Sequence, residues 1–89
     1  MNLKTSNLHK LIHHILLYEW DPIGVKNIDS AHDEYDPYIS QVYKMIIEKK
    51  TEQEIFDYLL WVERDYMGLT PDIESIKNVS KRIHSLTKE

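Results

Sequence analysis

Two glycines and three prolines in 89 residues leave this chain few places to turn tightly, and that scarcity favours helices. The apolar residues agree. Four stretches place them at i, i+3 and i+4, the spacing of one helical face. None alternates apolar and polar residues with the period of two that marks a half-buried strand. The first stretch runs from about Ser6 to Trp20, with Leu8, Leu11, Ile12, Ile15, Leu16 and Glu19 in register. The second runs from Asp36 to about Lys49 and carries Tyr38, Ile39, Val42, Tyr43, Ile46 and Ile47. The third reaches about Met67 through Ile55, Tyr58, Leu59, Val62 and Tyr66, widened by Phe56, Leu60 and Trp61. The last has a narrow stripe, Ile73, Ile76, Val79, Ile83 and Leu86, on an otherwise polar helix; that face docks and the rest meets water.

The punctuation between these stretches has recognisable chemistry. Thr5 or Ser6 can cap the first helix by accepting from orphaned backbone N–H groups. "DPIG" (Asp21 to Gly24) has the composition of a type I turn, and Pro22 pushes Asp21 out of the α region, ending the helix near Trp20. At "DPY", Asp36 serves as N-cap and Pro37 sits at the first helical position. Lys49 and Lys50 suit the negative end of that helix's dipole. "TEQE" reads as a capping box, Thr51 with Glu54. Gly68 suits the position after a helix end, with Leu69 supplying the accompanying apolar contact. In "TPD", Thr70 is expected to cap the last helix, with Pro71 and Asp72 in its first turn. The connection from Asp21 to Asp36 is long for a small helical domain, where roughly 2–8 residues is usual. Its "DSAHDEY" segment has room for a short helical turn capped by Asp29 or Ser30. The predicted fold is therefore all-α: one domain over residues 1–89, a small four-helix array or bundle with one long acidic connection between helices 1 and 2.

A domain of this length buries roughly 60–65% of the surface its unfolded chain exposes, so the core is thin. Hydrophobic and charged fractions of 42% and 29% are those of a soluble globule. Zero cysteines exclude a disulfide framework and thiolate chemistry, and fit a reducing cytoplasm. A net charge of −4 speaks against nucleic acid, whose binders cluster Lys and Arg. No run approaches the roughly 18 apolar residues of a membrane span, and His13 and His14 interrupt the N-terminal apolar run in a way a signal peptide would not. The basic, amphipathic "IKNVSKRIHSLTKE" reads as ordinary solubilisation rather than a membrane or nucleic-acid element.

Five histidines raise the question of a metal. His9 and His13 are spaced i, i+4 with His14 beside them, but Lys10 stands where the zinc-protease motif has its glutamate, and spacing places no third ligand. These three fall away from the Leu8–Ile12–Ile15 stripe and read as polar-face residues. Starting an EF-hand at Asp29 leaves no glycine at the sixth place, so that reading fails. No Gly-rich phosphate loop, nucleophile elbow or Cys nucleophile is present. No cofactor or metal is expected.

Asp21 and Asp36 are explained by turn and cap chemistry. Asp29, Asp33 and Glu34 are not. Beside them stand Tyr18, Trp20, Tyr35 and Tyr38, and aromatics next to charge are what interface hot spots are made of. The segments "LLYEWDPIGV", "DEYDPY" and "EIFDYLLWVERDYMGL", spread over Leu16–Leu69, resemble the YugE-like family of short bacterial all-helical proteins of unknown function. The resemblance implies a bacterial cytoplasmic protein and supplies no catalytic residues. It also touches short sequences found among candidate immunity proteins of bacterial toxin systems. The helix after Thr70 lies outside it.

Two functions follow as expectations. The first is a non-enzymatic protein-interaction module, immunity-like or regulatory, in which Trp20, Asp29, Asp33, Glu34, Tyr35 and Tyr38 meet a basic protein partner or a second copy of the chain. The alternative is a metal-dependent or acid–base hydrolase using His32 with Asp29, Asp33 and Glu34.

Overall fold

The computed structural model describes residues 3–88, and the side chains of residues 7–87. Among the described residues the chain is all-helical: α1 (Leu3–His14), α2 (Asp36–Ile47), α3 (Glu52–Trp61) and α4 (Ile73–Ser85). A 3₁₀ turn, Asp29–Ala31, sits in the long connection where the sequence left room for one, although neither Asp29 nor Ser30 caps it; Ile28 holds that place without a side-chain bond. No described helix is long and apolar enough to cross a membrane. Two compact units divide the chain, Met1–Lys44 and Met45–Glu89. The boundary falls within α2.

In the first unit, α1 begins at least as early as Leu3, so Thr5 and Ser6 lie inside the helix rather than at its cap. Their side chains are outside the described set. At Ile15 the helix widens into a π-helix, Ile15–Trp20, closed by the Asp21 N–H on the Leu16 carbonyl at 3.0 Å. A π turn spends an extra residue per hydrogen bond, which slips the side-chain register by one. Glu19, placed on the apolar stripe by α-helical spacing, is thus exposed, and Trp20 turns inward. Ile12, Ile15, Leu16, Leu17, Trp20, Tyr35 and Val42 are buried here. The histidines of α1 have neighbours: His9 meets the Tyr43 ring edge-on at 4.6 Å, and His13 Nε2–H donates to the His32 carbonyl at 2.8 Å.

In the second unit, α3 packs against α4 around Ile55, Leu59, Val62, Ile76, Val79 and Ile83. The C-terminus of α2 closes with two bonds, Lys50 N–H to the Met45 carbonyl and Lys49 N–H to the Ile46 carbonyl, both 3.0 Å. With Lys49 left-handed at φ 55°, this is a Schellman motif built without glycine. The capping box of α3 is present: Thr51 Oγ1 accepts from Glu54 N–H at 3.1 Å and Glu54 Oε1 accepts from Thr51 N–H at 3.2 Å. Beyond Trp61 the helix again widens to a π-helix, Val62–Tyr66, and Gly68 turns the chain out at φ 70°. The cap of α4 is Asp72, whose carboxylate accepts from Ser75 N–H at 3.1 Å. Thr70 and Pro71 precede the helix, so the expected cap moves two residues on. Of the α4 stripe, Ile76, Val79 and Ile83 are buried while Ile73 is exposed.

Candidate partner-binding loop

The Asp21–Asp36 connection is organised from its first residue. Asp21 adopts φ 37°, ψ 57°, a left-handed conformation that aspartate tolerates better than most residues. From there its carboxylate faces back over the following turn. Oδ1 accepts from Val25 N–H at 2.8 Å and Oδ2 from Lys26 N–H at 3.2 Å. The Asp21 carbonyl also accepts from Gly24 N–H at 3.2 Å, the turn that "DPIG" signals. Oδ1 takes a further bond from Tyr35 Oη at 2.8 Å, and Tyr35 Oη accepts from Ile23 N–H at 3.0 Å. One phenol thus joins the end of the loop to its beginning.

The titration behaviour follows. Burial alone would raise the Asp21 carboxyl, but the hydrogen bonds from Val25, Tyr35, Lys26 and Gly24 outweigh it and hold the group below its ordinary value. Tyr35 is pushed well above the ordinary phenol value, first by burial and then by the Asp21 carboxylate, against the opposing bond from Ile23 N–H.

Consecutive turns complete the loop, with Ile28 N–H on Val25, Ala31 N–H on Ile28, Glu34 N–H on Ala31 and Asp36 N–H on Asp33, all at 2.9–3.1 Å. Two imidazoles fasten it further. His32 Nε2–H donates to the Lys26 carbonyl at 2.9 Å, while the His32 carbonyl receives His13 from α1. His13 Nε2 also lies 3.6 Å from Asp36 Oδ1. Asp36, expected as a helix cap, is the first residue of α2.

The six residues proposed from sequence divide by this geometry. Trp20 and Tyr35 are 4% and 1% exposed, their rings 5.5 Å apart, and Tyr38 is half-buried with its ring edge-on to Trp20 at 6.0 Å. These aromatics build the loop's interior. Asp29, Asp33 and Glu34 are exposed. Exposed with them on the same connection are Ile23 and Ile28, which sequence reasoning passed over. Their signal was available: two isoleucines in a polar connection that no helical stripe accounts for. As for hydrolytic chemistry, the His32 ring is engaged with a backbone carbonyl, and Asp29 lies 3.8 Å from it. Among the described residues no three His, Cys, Asp or Glu side chains converge as a metal site would require.

No protein-family model, curated protein or solved structure matches this chain.

Proposed function

We propose that this chain is a non-enzymatic protein-interaction module whose Asp21–Asp36 loop meets a basic partner. The observation that carries the reading is the loop's division into inside and outside. Tyr35 and Asp21 clamp it from within, while Asp29, Asp33 and Glu34 face water on the same connection as an exposed Ile23 and Ile28. A rigid loop that presents acids and large aliphatics loses little entropy on binding and is steered towards positive charge. Trp20, Tyr35 and Tyr38 act in this proposal as the supports of the surface. The proposal extends to the setting that the YugE-like resemblance implies, an immunity-like or regulatory protein of the bacterial cytoplasm.

The test is affinity capture from the cells that make the protein, comparing wild type with an Asp29→Asn, Asp33→Asn, Glu34→Gln variant of equal stability. A basic protein retained by the wild type and released by the variant is the expected result. Equal retention by both, or capture of nothing, would remove the loop from consideration.

A further inference from the structure

The second unit carries an aromatic surface that its core does not use. Tyr58 and Trp61 on α3 have ring centroids 6.4 Å apart at 24°, and Trp61 and Tyr66 follow at 5.8 Å and 30°. The three rings form a ladder along the helix and its π continuation, Tyr58 stacked with Trp61 and Tyr66 tilted to it. Trp61 is 48% exposed and Tyr66 67%. For large rings in a thin-cored protein, that is apolar surface left in water.

The charges along the same helix indicate what would cover it. Asp57 stands four residues before Trp61 on α3, a spacing that puts two side chains on one helical face, while Asp65 lies beyond it in the π-helical stretch. Asp65 is paired with Arg64 at 2.9 Å, and Glu54 with Lys50 at 3.7 Å. The neighbour of Asp57 is the neutral Gln53, donating to Oδ1 at 2.8 Å. A carboxylate has about four acceptor positions, so Asp57 keeps capacity for another donor. Rings that follow one another along a single helix do not make the converging walls that enclose a quaternary ammonium. Nucleobases also stack on flat rings, but they would bring phosphates towards Glu54, Asp57 and Asp65.

We propose that this ladder docks an arginine side chain of a protein partner, the guanidinium packing against the exposed part of the Trp61 ring and donating to Asp57. Arginine alone among side chains is planar, cationic and forked, so it satisfies the ring and the carboxylate together. Lysine satisfies only the charge. The inference does not rest on the Asp21–Asp36 loop.

The experiment is a titration of the full chain with a short blocked peptide of alternating glycine and arginine, beside its lysine counterpart. Amide and indole resonances are followed by NMR, with Trp61→Phe assigning the Trp61 indole. The arginine peptide should move the Trp61 indole and Asp57 amide signals, with a Kd of about 1 mM or tighter. Trp61→Ala should weaken it about 2- to 30-fold, Asp57→Asn should weaken it too, and the lysine peptide should bind less well. Both side chains are exposed, so each variant should keep the wild-type spectrum elsewhere. Equal affinity for the two peptides, undiminished binding by Trp61→Ala, or no Trp61 shift at about 5 mM peptide would overturn the proposal. So would a Trp61 shift that tracks protein concentration without peptide, since the ladder would then serve a second copy.

Discussion

Replacing Tyr35 with phenylalanine removes one oxygen and, with it, two hydrogen bonds that tie the beginning of the Asp21–Asp36 loop to its end. The first is donated to the Asp21 carboxylate at 2.8 Å, and the second is accepted from Ile23 N–H at 3.0 Å. A bond to a charged acceptor contributes about 1.5–3 kcal/mol, and a donor that loses its acceptor costs about 1 kcal/mol more unless water replaces it. The site is part-buried, so water recovers some of this, and a loss of about 2–3 kcal/mol is expected for Tyr35→Phe. In a domain of this size that lowers Tm by about 10–20 °C. Urea and thermal unfolding followed by far-UV circular dichroism measure it directly. A double-mutant cycle with Asp21→Ala, which removes the acceptor, should show a coupling of at least about 1 kcal/mol, since the two side chains share one bond.

The pH profile supplies an independent check on the same pair. The folded-state Asp21 carboxyl lies below its ordinary value near 3.8. Its contribution is therefore complete above that value and lost as pH falls towards the lowered folded one. Tyr35 has the opposite sign. Its folded value lies above the ordinary 10, so its contribution is complete below pH 10 and lost as pH climbs beyond it. Asp21→Asn should flatten the acid limb and Tyr35→Phe the alkaline one. A Tyr35→Phe cost below about 0.5 kcal/mol, or an acid limb unchanged in Asp21→Asn, would refute the clamp.

Other perturbations separate local strain and capping from charge. Lys49 is left-handed at the end of α2, so Lys49→Gly should raise stability by up to about 1 kcal/mol, whereas Gly68→Ala at φ 70° should lower it by about 1–2 kcal/mol, both by urea titration. Asp72→Ala should cost about 1 kcal/mol, while Thr70→Ala stays within about 0.5 kcal/mol, because Asp72 bonds Ser75 N–H; the reverse order would restore the cap to Thr70. The Asp29→Asn, Asp33→Asn, Glu34→Gln variant should unfold within a few degrees of wild type, since all three side chains are exposed and none is needed to hold the loop.

The sequence by itself determined what depends on near neighbours. Four helices, the Thr51–Glu54 capping box, the turn at Asp21–Gly24 and the chain reversal at Gly68 are each written in residues a turn or two apart. Backbone donors and acceptors at helix ends can be satisfied only by side chains within reach, so spacing reports them. The exposed acids of the candidate loop were legible in the same way, as residues left over once caps and stripes were assigned.

What only the tertiary structure decided depends on partners far along the chain. Trp20 and Tyr35 look in sequence like surface anchors, yet each is buried against the other across fourteen intervening residues. Asp21 reads as punctuation, and its second role, holding Tyr35, exists only once the loop closes. The two π-helical widenings carry no composition signal of their own. They turn Trp20 and Glu63 inward and leave Glu19 in water, against the α-helical register. Local spacing follows from the fixed geometry of the hydrogen-bonded turn, whereas burial follows from which distant surface arrives to exclude water, and no window of neighbouring residues contains that information.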